Sequence, residues 1–283
     1  MGKRTEKEEK KKEEKQEKKE KRRTERKQKE EARRQYFFVI RELTGREVKR
    51  RYARSYLGII WSVLNPLLTM AVMSLVFSTM FRRSIENYPG YLMTGQIIWG
   101  MFSSATNAAM GALVENKNLL LKVKLPKQIF VLAKIYTALV NFGYTCMAYL
   151  LMLLFFQVRL TWAALLLPVA VFFILLFSLG LGYMLAIAFV FFADIKYLYS
   201  VLLTLWMYLS AIFYPVSNLS SAMQQVVEAN PVYVAIAIAR DCMLYGKVSE
   251  PIMWIRLVLW SIGSFAAGYL FFKKKENKVM QKI

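Results

Sequence analysis

The chain has 283 residues, of which 56% are hydrophobic and 21% are charged, and it carries a formal net charge of +21. Hydrophobic and charged residues are segregated, since uncharged runs of 24 to 34 residues occupy 57–81, 91–114, 135–158 and 160–193. A helix of about 20 apolar residues spans the ~30 Å hydrocarbon core of a bilayer. These numbers exclude an ordinary soluble domain and indicate an all-α polytopic membrane protein.

The first segment, 1–34, is a low-complexity tract with 17 Lys and Arg, 10 Glu and almost no apolar residue. Such a composition cannot build a core, so we expect a cytoplasmic tail that is disordered or forms a solvated helix. Attraction to an anionic membrane surface is the alternative role for its basic residues.

The next segment, 35–56, alternates apolar side chains with basic ones and is too charged to cross a membrane. Its apolar side and its basic side predict an amphipathic helix that lies flat in the headgroup layer. We expect its basic patch to bind anionic membrane lipids. The patch consists of Arg46, Lys49, Arg50, Arg51 and Arg54.

Six apolar stretches follow, and we predict transmembrane helices at 57–81, 91–114, 129–156, 162–192, 197–213 and 252–272. In the fourth stretch, the pair Gly180 and Gly182 indicates close packing against another helix. Between the last two, the stretch 214–250 is interrupted by prolines, asparagines and charged residues. It predicts short re-entrant helices that enter the membrane from one face, with one full-length span as the alternative.

The distribution of positive charge predicts the orientation in the membrane. With six spans and the N-terminus inside, the cytoplasmic segments hold 34 of the 40 Lys and Arg residues. Cytoplasmic loops of membrane proteins retain such an excess. We therefore expect both termini in the cytoplasm. Because the basic residues are concentrated in alternate segments between the spans, as membrane orientation requires, we expect no nucleic-acid partner.

Several kinds of catalytic and energy-coupling group are missing from the sequence. There is no His, and two distant cysteines, Cys146 and Cys242, give neither a disulfide framework nor a metal motif. No Walker-type phosphate-binding motif occurs, so this chain does not hold ATP by that route. Acidic residues are absent from the interior of the predicted spans, which disfavours an ion-coupled transporter. Those outside the spans are scattered, which disfavours an enzyme acting on a lipid-linked substrate.

The cytoplasmic connection after the second span is longer than a simple turn requires. Lysines flank its apolar residues, which are Leu119, Leu120, Val123 and Leu125, and Pro126 follows them. This pattern predicts an amphipathic helix at about 116–126 that docks in a groove on a cytoplasmic partner. A surface helix resting on lipid is the alternative.

Six short motifs occur in a recognisable order, at 51–66, 88–95, 116–126, 192–196, 212–215 and 230–231. With them the chain resembles the permease subunits of ABC transporters that export polysaccharides and polyol phosphates, including O-antigen, capsule and teichoic acid exporters. The resemblance covers about residues 36–275 and leaves out the Lys/Glu tail. One motif departs from the family pattern, because Ala193 stands where the family has arginine.

The resemblance implies a transport subunit and not an enzyme, with two copies of the chain (a homodimer) enclosing a path across the cytoplasmic (inner) membrane. Two separate ATP-binding cassette subunits would bind below, so ATP and Mg²⁺ belong to the partner and this chain holds no cofactor. The implied cargo is a lipid-linked glycan, such as a polysaccharide or a teichoic-acid-type polymer. The implied ATPase-coupling residues are Asn116, Lys117, Asn118, Leu119, Leu120, Lys122, Val123 and Pro126.

Aromatic residues are candidates for lining that path, because sugar rings stack on aromatic faces while their hydroxyl groups need polar partners. The candidates are Tyr56, Trp61, Tyr88, Tyr91, Trp99, Phe102 and Tyr214. Interfacial belts of Trp and Tyr are the alternative role. For the basic patch, a second role is to receive the diphosphate of a lipid-linked glycan at the cytoplasmic entrance, because clustered Arg binds phosphate well.

Two other functions are compatible with the same features. One is an ABC permease that exports drugs or small lipids, and the other is a stand-alone channel or structural membrane protein. A stably bound ATPase would exclude the second of these. Accumulation of undecaprenyl-linked polymer on depletion would distinguish a polymer exporter from a drug exporter.

Overall fold

The computed structural model describes residues 30–31, 34–50, 53, 58–81, 85, 87–122 and 125–282. Within these ranges the chain is helical and has no strand, which confirms the predicted all-α class. Most of the predicted tail lies outside the described residues. The same holds for four predicted site residues, Arg51, Arg54, Tyr56 and Val123.

The first helix, α1, covers 34–50. The helices that follow in chain order are α2 (Ile60–Phe81), α3 (Tyr88–Glu115), α4 (Lys117–Lys122), α5 (Gln128–Phe155), α6 (Leu167–Phe191), α7 (Ile195–Tyr208), α8 (Ser221–Ala229), α9 (Pro231–Met243) and α10 (Pro251–Lys282). Short 3₁₀ turns lie at Trp162–Leu166 and Val216–Asn218. Local signals set some boundaries, since the Asn87 side chain caps α3 by accepting from the Gly90 amide.

Within the described part of the chain, five helical segments are long and apolar enough to cross a bilayer: Ile60–Phe77, Tyr88–Glu115, Gln128–Phe155, Trp162–Phe191 and Pro251–Val279. Each of them overlaps one of the six predicted spans. The predicted span at 197–213 corresponds to α7, whose 14 residues extend about 21 Å at 1.5 Å per residue. By length alone, α7 does not qualify as a span.

Helix α6 packs against α10, and residues later in α6 contact residues later in α10. Phe177 contacts Trp260, and six residues further along α6 Tyr183 contacts Phe265, Tyr269 and Phe272. The two helices therefore run parallel, so the chain between them, 192–250, must return to the end of the bundle where α6 began. Helix α7 and the irregular turn that follows it carry this return, at the position of the predicted fifth span.

Glycines allow α6 to approach its neighbours closely. A Cβ atom on Gly182 would lie 2.7 Å from the Cβ of Ala109 in α3. A Cβ atom on Gly180 would collide with the backbone of Ser264 in α10. The close helix packing predicted for this glycine pair is confirmed, and it follows from the absence of a side chain at both contacts.

The stretch before the last span folds as two short helices, α8 and α9, with a turn at Asn230 between them. The Asn230 Oδ1 atom accepts from the Val232 amide at 2.9 Å and from Trp206 Nε1 at 2.8 Å. Its Nδ2 atom donates to the Leu209 carbonyl at 3.0 Å. Because α8 and α9 have only 9 and 13 residues, the alternative of one full-length span here is wrong.

Candidate functional site

The connection between α3 and α5, which was predicted to lie in the cytoplasm, contains the six-residue helix α4, which begins directly after Asn116. Asn116 is buried, and its Nδ2 atom donates to the Ala112 carbonyl at 2.8 Å. Its backbone carbonyl accepts from the amides of Leu119 and Leu120 at 3.0 and 2.9 Å. Asn116 therefore ends α3 and starts α4, so it positions the coupling segment and does not belong to a free docking face.

Leu120 and Leu121, neighbours on α4, differ sharply in exposure. Leu120 is only 5% exposed and packs in the core beside Ile129 and Phe130. Leu121 is 56% exposed. Leu120 was predicted to face the ATPase, but it anchors α4 to its own chain. Leu121 was missed, because the run 119–121 is leucine throughout and the sequence does not distinguish its exposed position from its buried one. The other exposed residues are Lys117, Asn118, Lys122 and Pro126, while Leu119 is half-buried.

An ion cluster joins α1, α3 and α5 next to the coupling segment. Lys134 Nζ lies 2.6 Å from Glu115 Oε2 and 3.2 Å from Glu47 Oε1. The Lys134 side chain is 7% exposed, so these interactions are little screened by water. Arg46 Nη2 donates to Asn116 Oδ1 at 2.7 Å. Helix α1 is thereby tied to the residue from which α4 starts.

The basic patch of α1 is divided by these contacts. Arg46, which was predicted to bind phosphate or headgroups, donates to Asn116 Oδ1 within the chain, but its side chain is 55% exposed and can still meet an anionic group. Lys49 and Arg50 are exposed and remain able to meet an anionic group. Among the described residues, no group of three or more His, Cys, Asp or Glu side chains could hold a metal ion.

Three of the aromatic residues predicted to line the path fill the interior of the chain. Tyr88 is 3% exposed and its hydroxyl donates to the Phe213 carbonyl at 2.9 Å. Tyr91 is 6% exposed and its hydroxyl donates to the Tyr214 carbonyl at 2.8 Å. Phe102 is fully buried. We therefore remove these three from the path, because a side chain covered by its own chain cannot contact a passing glycan.

The other described aromatic candidates are more accessible but lie apart. Trp61 is exposed on α2, and Trp99 is half-buried with its ring centre 5.6 Å from that of Phe102. Tyr214 lies in the turn after α7, where its hydroxyl donates to the Tyr208 carbonyl at 2.5 Å. Partial burial raises the pKa of the Tyr214 phenol above its ordinary value. The structure does not bring these three rings together into one aromatic lining.

Arg240 in α9 is a buried charge, which sequence reasoning treated only as an external basic residue. Its Nε, Nη1 and Nη2 atoms donate to the carbonyls of Tyr91, Ala211 and Ile212 at 3.1–3.2 Å. Its guanidinium carbon lies 3.3 Å from the centre of the Tyr91 ring. A Cβ atom on Gly95 would come within 2.9 Å of Nη2, so this glycine leaves room for the guanidinium.

The comparisons with known proteins agree with one another. The family described as ABC-2 type transporter matches residues 39–244. The O-antigen export system permease protein RfbA of Myxococcus xanthus is 33% identical over 252 residues, covering 86% of this chain and 95% of that protein. The polysialic acid transport protein KpsM of Escherichia coli is 22% identical over 251 residues, covering 83% and 92%. The capsule polysaccharide export inner-membrane protein CtrC of Neisseria meningitidis is 28% identical over 198 residues, covering 67% and 72%.

Proposed function

Since the chain belongs to the ABC-2 type transporter family, we propose that it is the membrane-spanning subunit of an ATP-driven exporter of a lipid-linked cell-surface polysaccharide or teichoic-acid-type polymer. The observation that carries this proposal is the similarity to the Myxococcus xanthus O-antigen permease, which extends over 95% of that protein. Two further relatives are named for transport of polysialic acid and export of capsule polysaccharide. These names favour a polymer over a drug or a small lipid as the cargo.

The proposed assembly contains two copies of this chain and two ATP-binding cassette subunits, which supply the ATP and Mg²⁺ sites. The exposed apolar face of α7 supports the presence of a second copy, because a contiguous apolar surface of this kind is typical of a protein or membrane contact. This face comprises Tyr197, Leu198, Val201, Leu202, Leu205 and Tyr208, each more than half exposed. A homodimer would bury the same face on both copies around a two-fold axis.

Coupling to the ATPase is proposed to run through the exposed side of α4. Leu121 supplies the apolar contact, and Lys117 and Lys122 flank it as charged rim residues. Leu120 and Asn116 face inward and transmit movement to α5 and α3, because both are packed against those helices. A helix with one apolar side suits a groove on the partner.

The proposed location is the cytoplasmic membrane with both termini inside. Contacts among the segments expected in the cytoplasm support this orientation. Arg46 of α1 bonds to Asn116, and Lys127 Nζ donates to the Glu276 carbonyl near the end of α10 at 2.7 Å. The beginning of the described chain, the coupling segment and the C-terminal helix therefore share one end of the bundle, where positive charge is concentrated.

Depletion of the protein in its native host tests the proposal. We expect undecaprenyl-linked polymer to accumulate inside the cell while the surface polymer disappears. Re-expression should restore export, and a copy lacking the ATPase contact should not. Normal surface polymer with no intracellular accumulation would refute polymer export. Loss of drug resistance alone would instead support the drug-exporter alternative.

A further inference from the structure

One face of α3 is polar even though the helix is long and apolar enough to cross the membrane. Residues on this face recur every three or four positions and are exposed or half-buried: Gln96, Gly100, Ser103, Ser104 and Asn107. A polar face is costly against lipid chains, because amide and hydroxyl groups lose their hydrogen bonds with water there. Such a face is expected to border a wet cavity or another polar surface.

Two cavities lie along this face and share two of their lining residues. The inner one, of about 380 Å³, is bordered by the ion cluster at the cytoplasmic end, including Glu47, Glu115 and Lys134. The deeper one, of about 280 Å³, lies between α2, α3 and α5. Ser104 and Asn141 border both cavities. Because they share this wall, we name the two adjacent cavities together the polar groove, which extends from the level of α1 to the space between α2, α3 and α5.

The deeper part of the polar groove is lined by neutral hydrogen-bonding groups. These come from all three helices and comprise Asn65, Thr69, Gln96, Ser104, Asn141 and Thr145. Ile97, Met101 and Phe142 supply apolar surface between them. Among the described residues, no charged side chain borders this part, which is therefore poorly suited to a phosphate or a metal ion.

The side chain of Asn141 has an unsatisfied hydrogen-bond acceptor. Its Oδ1 atom is buried and accepts no hydrogen bond from any described residue. Asn65 and Gln96 likewise make no side-chain hydrogen bond within the described part of the chain. Buried amide groups are normally satisfied, so the unpartnered Asn141 oxygen at the wall of this groove indicates a ligand or water.

We infer that the polar groove is a binding site for the sugar units of the exported polymer. Sugar hydroxyls both donate and accept, as the amides of Asn65, Gln96 and Asn141 do, and the apolar wall suits the C–H faces of the rings. This inference rests on the proposed function and names a ligand site in place of the buried aromatic candidates.

Water access is the first test, and it does not depend on the cargo. In a Cys146→Ala/Cys242→Ala background, Ser104→Cys and the control Leu150→Cys are expressed with the ATPase subunits in inverted membrane vesicles. Leu150 is 49% exposed on the apolar side of α5. A charged, membrane-impermeant methanethiosulfonate should modify Ser104→Cys at least about tenfold faster, because the reactive thiolate requires a polar surrounding. Equal, slow modification of both would overturn the inference.

Occupancy by the cargo is the second test. Vesicles from cells that make the lipid-linked polymer should protect Ser104→Cys, compared with vesicles from cells lacking the first glycosyltransferase. Water access without protection would overturn the sugar site. This outcome differs from failure of the proposed function, in which depletion of the wild-type protein causes no polymer to accumulate.

Matched variants of Asn141 complete the argument. Asn141→Leu keeps a similar size and removes the amide, whereas Asn141→Gln retains it. We expect Asn141→Leu to lower export by about tenfold, the value of one or two hydrogen bonds to the cargo. Asn141→Gln should export substantially better than Asn141→Leu, and both should insert and bind the ATPase normally. Equal export by wild type and Asn141→Leu would contradict the proposal.

Discussion

The buried guanidinium of Arg240 holds three parts of the outer bundle together. It donates to carbonyls of α3 and of the turn after α7, at Tyr91, Ala211 and Ile212. It also lies over the Tyr91 ring at 3.3 Å. Arg240→Met keeps much of the side-chain volume but removes the charge and all three hydrogen bonds. We expect this substitution to loosen the contact between α9 and α3.

The size of the effect is a balance of opposing contributions. Hydrogen bonds from a charged donor contribute about 1.5–3 kcal/mol each, so three amount to about 4.5–9 kcal/mol. Contact with the Tyr91 ring adds about 1–2 kcal/mol. Burial of a guanidinium costs several kcal/mol, which the variant no longer bears. We therefore expect a net destabilisation of about 3 kcal/mol, which corresponds to a fall of about 6–12 °C in the unfolding midpoint.

Thermal unfolding of the purified protein in detergent, followed by tryptophan fluorescence, measures this effect. Arg256→Met is the matched control, because Arg256 is 42% exposed and lies 3.7 Å from Glu228. An exposed ion pair of this kind contributes at most about 1 kcal/mol. The unfolding midpoint of Arg240→Lys should lie between those of wild type and Arg240→Met, since an ammonium group cannot reproduce the three hydrogen bonds of the planar guanidinium. If Arg240→Met unfolds no earlier than Arg256→Met, the buried charge gives no net stabilisation and the reasoning fails.

Three further predictions follow from the cytoplasmic contacts and the orientation. Leu121→Asp should abolish co-purification of the ATPase at an unchanged permease level, because about 1.5–3 kcal/mol of apolar contact is lost. The control Lys122→Gln should change co-purification little. Normal ATPase binding by Leu121→Asp would show that α4 only connects α3 to α5. Among the described residues, Lys134→Met should leave Glu115 without its cation and Glu47 with only Arg46, at 3.9 Å. We expect this to destabilise the end of the bundle where α1, α3 and α5 meet by about 1–3 kcal/mol, measured as faster proteolysis there, and wild-type resistance would contradict this. In intact cells, Lys247→Cys should react with an impermeant maleimide and Asn277→Cys only after permeabilisation; external labelling of Asn277→Cys would reverse the orientation.

Properties that depend on local composition could be predicted from the sequence. Whether a stretch of about 20 residues enters the bilayer depends on its own transfer free energy, so five long helices lie where uncharged runs predicted them. Gly180 and Gly182 indicated close packing because no side chain intervenes, and the structure has that packing. The family motifs could also be recognised from the sequence alone, since each is a contiguous stretch of residues. Local composition also predicted short helices in place of a span before α10, because Pro231 and Asn230 interrupt this stretch.

The direction in which each side chain faces was decided only by the tertiary structure. Helices α3 and α6 are apolar on most sides, so periodicity did not distinguish a core face from a path-lining face. Tyr88 and Tyr91 lie in the core because the turn after α7 covers them, and Phe102 because it packs against Phe177 of α6 and Trp206 of α7. Leu120 and Leu121 are chemically identical neighbours, and only packing against α5 makes the first an internal anchor and the second an exposed contact. Composition assigns a segment to the membrane, whereas the positions of neighbouring helices determine which of its side chains remain free to bind.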